Sequence, residues 1–477
     1  MVATTGSDGI TPREGWSSRS AFILAAIGSA VGLGNLVRFP AEAANNGGGA
    51  FVLFYIACIL LIGLPVLLSE TLIGRHGQSS ATESVRRVAF ESKASGQWEW
   101  IAGLGVLSAF LILAFYCVIG GWVLYYIGIF AQDIFAGGLA TGALHNLTGE
   151  DIAAIFPALL EDGLTISLLD VLFVGLTLYF VARGVSGGIE VVAKYLMPAF
   201  FALLLGITVY GATTGGFTEA LGYLFTLDFS ALTGEVMLAA VGQAFFSLSL
   251  GVAGMITYGS YVGRNVNLAG TSAIIAFADT SVALVAGLCI FPIVLSAGLA
   301  FGEGGLGLMF DTLPYAFQDI PGGSLVGLLF FVMVGFAALT SSVALMEVPT
   351  AWAIAKFRVR RVPAASVVAL LALGLGILSA YSFNALSAFH PLGFIPLFEG
   401  EGIFSALDSF TAKITMPVGA LLVSIFVGWI AERRLIDSEN GLSGGLEKFW
   451  LFLVRWLCPL ALTAILIIGI FPSILGE

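Results

Sequence analysis

Charged residues are scarce in this chain. Only 10% of its 477 residues are Asp, Glu, Lys or Arg, whereas 58% are hydrophobic and the mean hydropathy is +1.01. A soluble globular domain carries about 25% charged residues, so the composition excludes that class. It predicts a polytopic membrane protein that is surrounded by the lipid bilayer, and we expect no nucleic-acid partner.

Histidine and cysteine are also few. The three histidines are scattered over different loops or helix ends, which leaves little for a zinc site or a histidine-based catalytic group. All four cysteines lie inside apolar segments, where a free thiol behaves as a small hydrophobic side chain, so neither a disulfide framework nor a metal site is indicated. These shortages argue against a membrane protease or another enzyme.

Long apolar segments make up most of the remaining sequence. Eleven of them reach the length of about 20 residues that a membrane-spanning helix needs. They are 20–43, 49–74, 98–132, 166–184, 190–212, 234–260, 267–299, 324–355, 363–382, 403–431 and 447–474. The first nineteen residues are polar, which predicts a cytoplasmic N-terminal tail rather than a cleaved signal peptide.

The basic residues between these segments fall in alternate loops, and the opposite loops carry acidic residues without a basic one. The basic set is Arg75, Arg86, Arg87, Lys93, Arg183, Lys194, Arg264, the run 356–361, Arg433, Arg434 and Lys448. Cytoplasmic loops are the ones enriched in Lys and Arg. We therefore predict a plasma-membrane protein with a cytoplasmic N-terminus and an extracellular C-terminus.

Two of the eleven segments are interrupted. Residues 28–40 read GSAVGLGNLVRFP and combine three glycines with Asn35 and Arg38, and residues 245–254 break the sixth segment with FFSLSLGVAG. In lipid each unpaired backbone N–H or C=O costs several kcal/mol, so a loosened spanning helix implies that its freed backbone groups bind something. Close helix packing would explain glycine pairs elsewhere, but not Asn35 and Arg38 beside the break.

The two interruptions begin two successive groups of five helices, 20–212 and 234–431. Glycine-interrupted helices at corresponding positions of two halves indicate a transporter site near the bilayer midplane. Because each half has an odd number of helices, the second half must be inverted and the two breaks then face each other. The last helix, 447–474, lies outside the repeat.

Four motifs, in order along the chain, resemble the neurotransmitter:sodium symporter family. They are residues 28–40 with NNGGGAF at 45–51, AFY at 114–116, GQAFFSLSLG at 242–251 and LTSS at 339–342. The resemblance runs from about Arg13 to the last helix. It implies an all-α membrane protein with the LeuT-like 5+5 inverted repeat, broken helices 1 and 6 and an added eleventh helix, as in the shorter prokaryotic branch.

The resemblance implies two sodium sites. The first would combine the Ala30 carbonyl, Asn35, Ser247 and Asp279 with the substrate carboxylate, and the second would combine Gly28, Val31, Ala337, Thr340 and Ser341. The last three stand at i, i+3 and i+4 on one helix face and offer uncharged oxygen ligands. The alternative is that both hydroxyls merely bond to the carbonyl one turn back.

Asp279 stands where asparagine is common in the family. A lone carboxylate in a membrane helix is costly and indicates function, and a neighbouring sodium ion would compensate its charge. Animal members of the family use chloride to balance the ions. The built-in carboxylate therefore predicts transport that is independent of chloride.

The same resemblance places the substrate at the break of helix 1. The amides around Leu33 and Gly34 would present partial positive charge to an α-carboxylate, and Tyr116 resembles the tyrosine that holds it. Gly32, where monoamine carriers have aspartate, indicates an amino acid. The pocket is uncharged and favours large aliphatic or aromatic side chains, and its other predicted residues are Ile112, Phe246, Ser247, Ser249, Val252, Ser341 and Leu345.

Two gates are implied as well. Arg38 and Asp408 resemble the outer ion pair, with Tyr116 and Phe246 as an aromatic lid beneath it.

On the inner side, Arg13 and Trp16 resemble the latch that pins the first helix shut. The acidic partner that the family provides falls near Ala355, which cannot form an ion pair. The inner gate is therefore looser or uses another acid.

Lys413, in the middle of helix ten, has no counterpart in the family. Two interpretations stand: it reaches Asp408 or Glu70, or it extends toward a water-filled vestibule.

The sequence therefore predicts a symporter that couples inward flow of two sodium ions to uptake of a hydrophobic or aromatic L-amino acid. A membrane sensor that binds an amino acid without cycling is the alternative, and the missing inner ion pair is its motivation. An ion channel is disfavoured by the occluding aromatic pair.

Overall fold

The computed structural model describes residues 15–138, 144, 147–299, 305–318 and 320–471, and all regular structure within them is helical. In chain order the helices are α1 Arg19–Ala30, α2 Gly34–Asn45, α3 Gly49–Gly77, α4 Ala81–Glu91, α5 Gly96–Gly137, α6 Gly149–Glu161, α7 Gly163–Val181, α8 Val185–Gly211, α9 Phe217–Phe225, α10 Gly234–Ser247, α11 Gly254–Ser260, α12 Leu268–Ser296, α13 Leu313–Gln318, α14 Gly323–Phe357, α15 Arg361–Tyr381, α16 Ile403–Ile430, α17 Arg433–Glu439 and α18 Gly444–Ile470.

Within the described residues, nine continuous helices are long and apolar enough to cross a membrane: α3, α5, α7, α8, α12, α14, α15, α16 and α18. The bent pair α1 and α2 supplies a tenth span. The remaining predicted span, 234–260, consists of two shorter helices, α10 and α11. Each of the eleven predicted segments thus has a helical counterpart within a few residues.

The centre of the molecule is formed by α5 and α14. About 70% of the most apolar part of each helix is buried inside the protein (72% and 67%), compared with 28% for α18 and 33% for α7 and α8. Helices α5 and α14 pack closely against each other, whereas α7, α8 and α18 present apolar side chains outward. Residues of α5 and α14 are therefore held rigidly, which suits helices that carry site residues.

The first break separates α1 from α2, whose axes differ by 51°. Val31 leaves the helical conformation with φ −72° and ψ 108°. The freed N–H of Gly32 donates to Oδ1 of Asn35, with an N–O distance of 3.2 Å. A side chain in the first turn of α2 thus satisfies one backbone group that the break releases.

The second break runs from Leu248 to Ala253, between α10 and α11. Ser249, Gly251 and Ala253 have positive φ values of 50°, 81° and 56°. Glu70 of α3 stabilises this segment, since its Oε1 accepts a hydrogen bond from the Gly251 N–H at 2.8 Å. The left-handed conformation costs a non-glycine residue roughly 1–2 kcal/mol, so the surrounding packing must impose it.

Gly251 is required at its position for two reasons. Its φ lies in the left-handed region, and a Cβ there would overlap the carbonyl oxygen of Met416 in α16. We expect Gly251→Ala to lower the melting temperature of the detergent-solubilised protein by several degrees, because strain and a backbone clash add. Gly374→Ala in α15, where no atom lies within 4 Å of the added methyl group, is the matched control and should leave it unchanged or slightly higher. Equal melting temperatures for both variants would contradict the argument.

Candidate functional site

A wide cavity of about 650 Å³ lies between α2, α5, α10, α16 and α18. Its charged lining residues are Arg38, Glu42, Glu235, Asp408 and Lys413. Arg38 and Trp16 lie on opposite sides of the break in the first span, so the cavity and Trp16 belong to opposite ends of the molecule.

The floor of this outer cavity is formed by Leu33, Tyr116 and Phe246. The same three residues line a second cavity of about 40 Å³, which has room for about three water molecules. They therefore form the partition between a wide vestibule and a small buried pocket, where the lid was predicted.

The small pocket contains nine of the ten residues that the sequence predicts to bind substrate. They are Leu33, Gly34, Ile112, Tyr116, Phe246, Ser249, Val252, Ser341 and Leu345. The tenth, Ser247, does not line it and belongs to the polar cluster described below. The breaks in both spans thus contribute to one pocket, as predicted for facing breaks.

Three further lining residues lie outside the motifs and sites that the sequence analysis singled out. Ala344 and Val348 continue the stripe of Ser341 and Leu345 along α14 at helical spacing, which the sequence could have indicated. Met416 enters from α16 and carries no motif.

Tyr116 and Gly32 meet at the wall of the pocket. The Leu33 N–H donates to the Tyr116 hydroxyl, with an N–O distance of 3.4 Å. A Cβ at position 32 would lie 2.6 Å from Ser341 Oγ and 2.9 Å from the Tyr116 hydroxyl oxygen. Glycine at this position therefore allows both hydroxyl groups to approach the broken backbone.

A fully buried polar cluster joins α2, α10 and α12. Nδ2 of Asn35 donates to Oδ1 of Asp279 at 2.8 Å and lies 3.0 Å from Ser247 Oγ. The Ser247 hydroxyl donates to the other Asp279 carboxylate oxygen at 2.6 Å, and the hydroxyl of Tyr55 is 3.3 Å from Ser247 Oγ. Three of the four residues predicted for the first sodium site are thus in direct contact, and Ala30, the fourth, lines the adjacent pocket.

A second polar cluster joins α1 to α14. Ser341 Oγ lies 3.3 Å from the carbonyl oxygen of Gly28 and 3.2 Å from that of Val31. Thr340 donates to the carbonyl oxygens of Phe336 at 3.1 Å and Ala337 at 3.0 Å, as the back-bonding alternative expects. Ser341 instead crosses to the break in the first span, and all five predicted residues adjoin one another.

The two predicted outer-gate residues line the vestibule without forming an ion pair with each other in the described structure. Arg38 pairs with Glu42, with 3.5 Å between Nε and Oε1, and its guanidinium lies 4.7 Å from the centre of the Phe246 ring. The guanidinium is thus stacked on the floor of an open vestibule.

Lys413 forms its ion pair with Glu401, at 3.7 Å, and 42% of its side chain is exposed. The prediction that it reaches Asp408 or Glu70 is therefore wrong, because Glu401 lies closer to its ammonium group. The vestibule interpretation agrees with the structure, since Lys413 lines the outer cavity.

At the opposite end, Trp16 is fixed to the end of the sixth span. Its Nε1–H donates to the Tyr258 carbonyl at 3.1 Å, and its backbone N–H donates to the Tyr261 carbonyl at 3.3 Å. Its ring packs edge-on against both tyrosine rings, 5.2 and 6.1 Å away. Arg13, the other predicted latch residue, lies outside the described residues.

The end that holds Trp16 contains a buried acid that the sequence analysis missed. Glu347 of α14 is fully buried and forms two contacts with the Arg361 guanidinium, at 2.6 and 2.9 Å. Its Oε1 also accepts a hydrogen bond from the Tyr261 hydroxyl at 2.6 Å. A lone carboxylate inside an apolar helix was the available signal. Of the two expectations, a looser inner gate or another acid, the structure supplies an acid at this end, since Glu347 connects Tyr261 to α15.

Comparison with known proteins places these features in a family. A family model described as "Sodium:neurotransmitter symporter family" matches residues 13–135 and 158–473. An uncharacterized sodium-dependent transporter, YhdH of Bacillus subtilis, is 36% identical over 465 residues, covering 97% of both chains. The rat sodium- and chloride-dependent GABA transporter 2 is 26% identical over 500 residues, covering 94% of this chain and 79% of the relative.

A solved structure, MhsT in complex with L-phenylalanine, is also similar. Its TM-score is 0.85 at 38% identity, and the match covers 96% of this chain and all of that one. The likeness extends over nearly the whole chain and confirms the predicted LeuT-like architecture.

The Glu347–Arg361 pair should be a strong buried interaction. We expect Glu347→Gln to lower the free energy of unfolding by roughly 3–5 kcal/mol, because it removes the charge of one partner from a buried ion pair. The double variant E347Q/R361Q should recover part of this loss in a double-mutant cycle.

Glu447→Gln, which breaks the more exposed pair with Arg433, is the control and should cost less than about 1 kcal/mol. A Glu347→Gln variant as stable as this control would refute the role of the buried pair.

Proposed function

The chain belongs to the sodium:neurotransmitter symporter family, and from this premise we propose that it imports a hydrophobic or aromatic L-amino acid together with two sodium ions, without chloride, by alternating access. The observation that carries the proposal is the buried pocket between both helix breaks, flanked by two clusters of oxygen atoms. Sodium-dependent symport is the activity of the family. The substrate, the ion count and the anion requirement are the proposed refinements.

The polar end of the pocket suits an α-carboxylate. The Leu33 N–H and the Tyr116 hydroxyl both border it, and Gly34 begins α2. Backbone N–H groups at a helix start present partial positive charge, which favours an anion. A substrate carboxylate here would also lie beside the Asn35 cluster and could supply an ion ligand.

The other end of the pocket is apolar, with Ile112, Val252, Leu345 and Met416 among its walls. An uncharged wall of this kind favours an apolar substrate side chain, because each buried CH₂ group contributes about 0.8 kcal/mol. The relative MhsT has been solved with L-phenylalanine, which supports the same substrate class. With room for only about three waters, the pocket must widen to admit such a side chain, and Phe246 at the partition is the residue to move.

The two polar clusters suit two sodium ions for different reasons. The Asn35 cluster has a carboxylate, Asp279, whose charge needs compensation in the membrane interior. The cluster at Ser341 offers hydroxyl and carbonyl oxygens, the ligands that hard cations prefer, without a formal charge. Two sodium ions and the Asp279 carboxylate would together carry one net positive charge, which the substrate carboxylate would balance.

The arrangement of the two ends supports alternating access. The vestibule above the partition is wide, whereas Trp16, Tyr261 and Glu347 close the other end. The basic loops predict that this closed end faces the cytoplasm. The sensor alternative was motivated by the lack of an acid near Ala355, and Glu347, paired with Arg361, supplies an acid at this end.

The proposal is tested by binding and uptake with the same purified protein. We expect radiolabelled hydrophobic or aromatic amino acids to bind only with sodium, and to accumulate in proteoliposomes under an inward sodium gradient, because the ion clusters border the pocket. Choline in place of sodium is the control. Sodium-dependent binding without accumulation would favour a sensor, and preferential binding of a charged amino acid would overturn the substrate assignment.

The charge of Asp279 should replace chloride. We expect gluconate in place of chloride to leave uptake within about twofold, since a carboxylate already balances the ions. Asp279→Asn should weaken sodium activation by about tenfold or more, because it removes one unit of compensating charge. Asp228→Asn, in an exposed loop, is the matched control. Loss of most wild-type uptake in gluconate would refute the chloride-independent mechanism.

A further inference from the structure

A separate groove of about 700 Å³ lies at the end of the molecule that holds Glu347. It is bounded by α4, by the first turns of α5, by the last turns of α14 and by α15. It shares no lining residue with the vestibule or the small pocket. The proposed transport site therefore does not account for it.

One wall of the groove is an apolar stripe on α5. Trp100, Gly103, Leu107 and Phe110 follow one another at helical spacing and face Leu371 of α15. Trp100 is 74% exposed and Leu371 60% exposed, so the groove opens outward from the helix bundle. Ten residues of helix span about 15 Å, half of the roughly 30 Å hydrocarbon core. The stripe matches the depth of a single leaflet.

The mouth of the groove is basic. Lys356 and Arg358, at the end of α14, line it, are exposed and have no ion-pair partner among the described residues. The groove also contains Glu83 and Glu99, and Arg86 contacts both, at 2.5 and 3.8 Å. Three basic and two acidic side chains give the lining a net charge of +1, in a chain whose formal net charge is −11.

We propose that this groove binds one anionic phospholipid. Lys356 and Arg358 hold the headgroup phosphate, and one acyl chain lies along the stripe from Trp100 to Phe110. Basic pockets between membrane helices on the cytoplasmic side bind anionic headgroups, and Trp100 and Trp352 stand at the polar boundary, where aromatic side chains concentrate. A soluble anion would use the basic mouth but not the apolar wall.

The test is native mass spectrometry of the full-length protein released from nanodiscs that contain equal amounts of phosphatidylglycerol and phosphatidylcholine. We expect the wild type to retain one phosphatidylglycerol molecule. In K356Q/R358Q the preference for phosphatidylglycerol should fall about 30-fold, since each basic side chain near an anionic surface contributes roughly fivefold. R434Q/K448Q removes two exposed basic charges outside the groove and should retain the lipid as the wild type does.

A second variant tests the apolar wall. Gly103 has open space beyond its Cα apart from the Trp100 ring, so Gly103→Leu should fill the groove, keep the charges and reduce lipid retention at least tenfold. Unchanged melting temperatures would show that the variants are folded.

The proposal would be overturned if the wild type retained both lipids equally, or if the two double variants lost lipid equally. Release of the wild type as a dimer without lipid would also overturn it. The experiment measures lipid retention and not transport, so its outcome does not depend on the proposed function.

Discussion

The need to satisfy backbone hydrogen-bonding groups inside a membrane determines much of this structure. Two spans are broken near the middle of the bundle, and each break releases polar groups that lipid cannot accommodate. Side chains compensate: Asn35 of α2 itself and Ser341 of α14 at the first break, and Glu70 of α3 at the second. The oxygen and N–H groups that each break brings together are then available to ions and to a carboxylate. The architecture and the site thus have one physical origin.

Most of the fold and most of the site could be predicted because both leave local signals in the sequence. Apolar length predicted eleven segments, each with a helical counterpart within a few residues, and glycine beside Asn35 marked the first break. The pairing of Glu347 with Arg361 and the approach of Met416 could not be predicted. These contacts join residues on different helices, and their geometry depends on rotations and tilts that periodicity does not specify. Lys413 illustrates the same limit, since its partner Glu401 lies in a loop before α16.

The two ends of the molecule use their charges differently. At the wide end, Arg38 and Lys413 hold local partners, Glu42 and Glu401, and remain beside water. At the narrow end, Glu347 is fully buried and its interactions connect three helical segments. Exposed pairs rearrange at little cost, whereas separating a buried pair requires solvation of both charges. This contrast accounts for a conformation that is open at one end and closed at the other.

Ser341 belongs to two places at once. Its hydroxyl contacts the carbonyl oxygens of Gly28 and Val31, and its side chain also lines the small pocket. An occupant of either place must therefore alter the surroundings of the other. Thermodynamic linkage makes such an effect reciprocal: an ion that raises affinity for a ligand tenfold, about 1.4 kcal/mol, is itself held tenfold more tightly when that ligand is present. A hydroxyl group shared by the two places would couple two binding equilibria without any distant conformational signal.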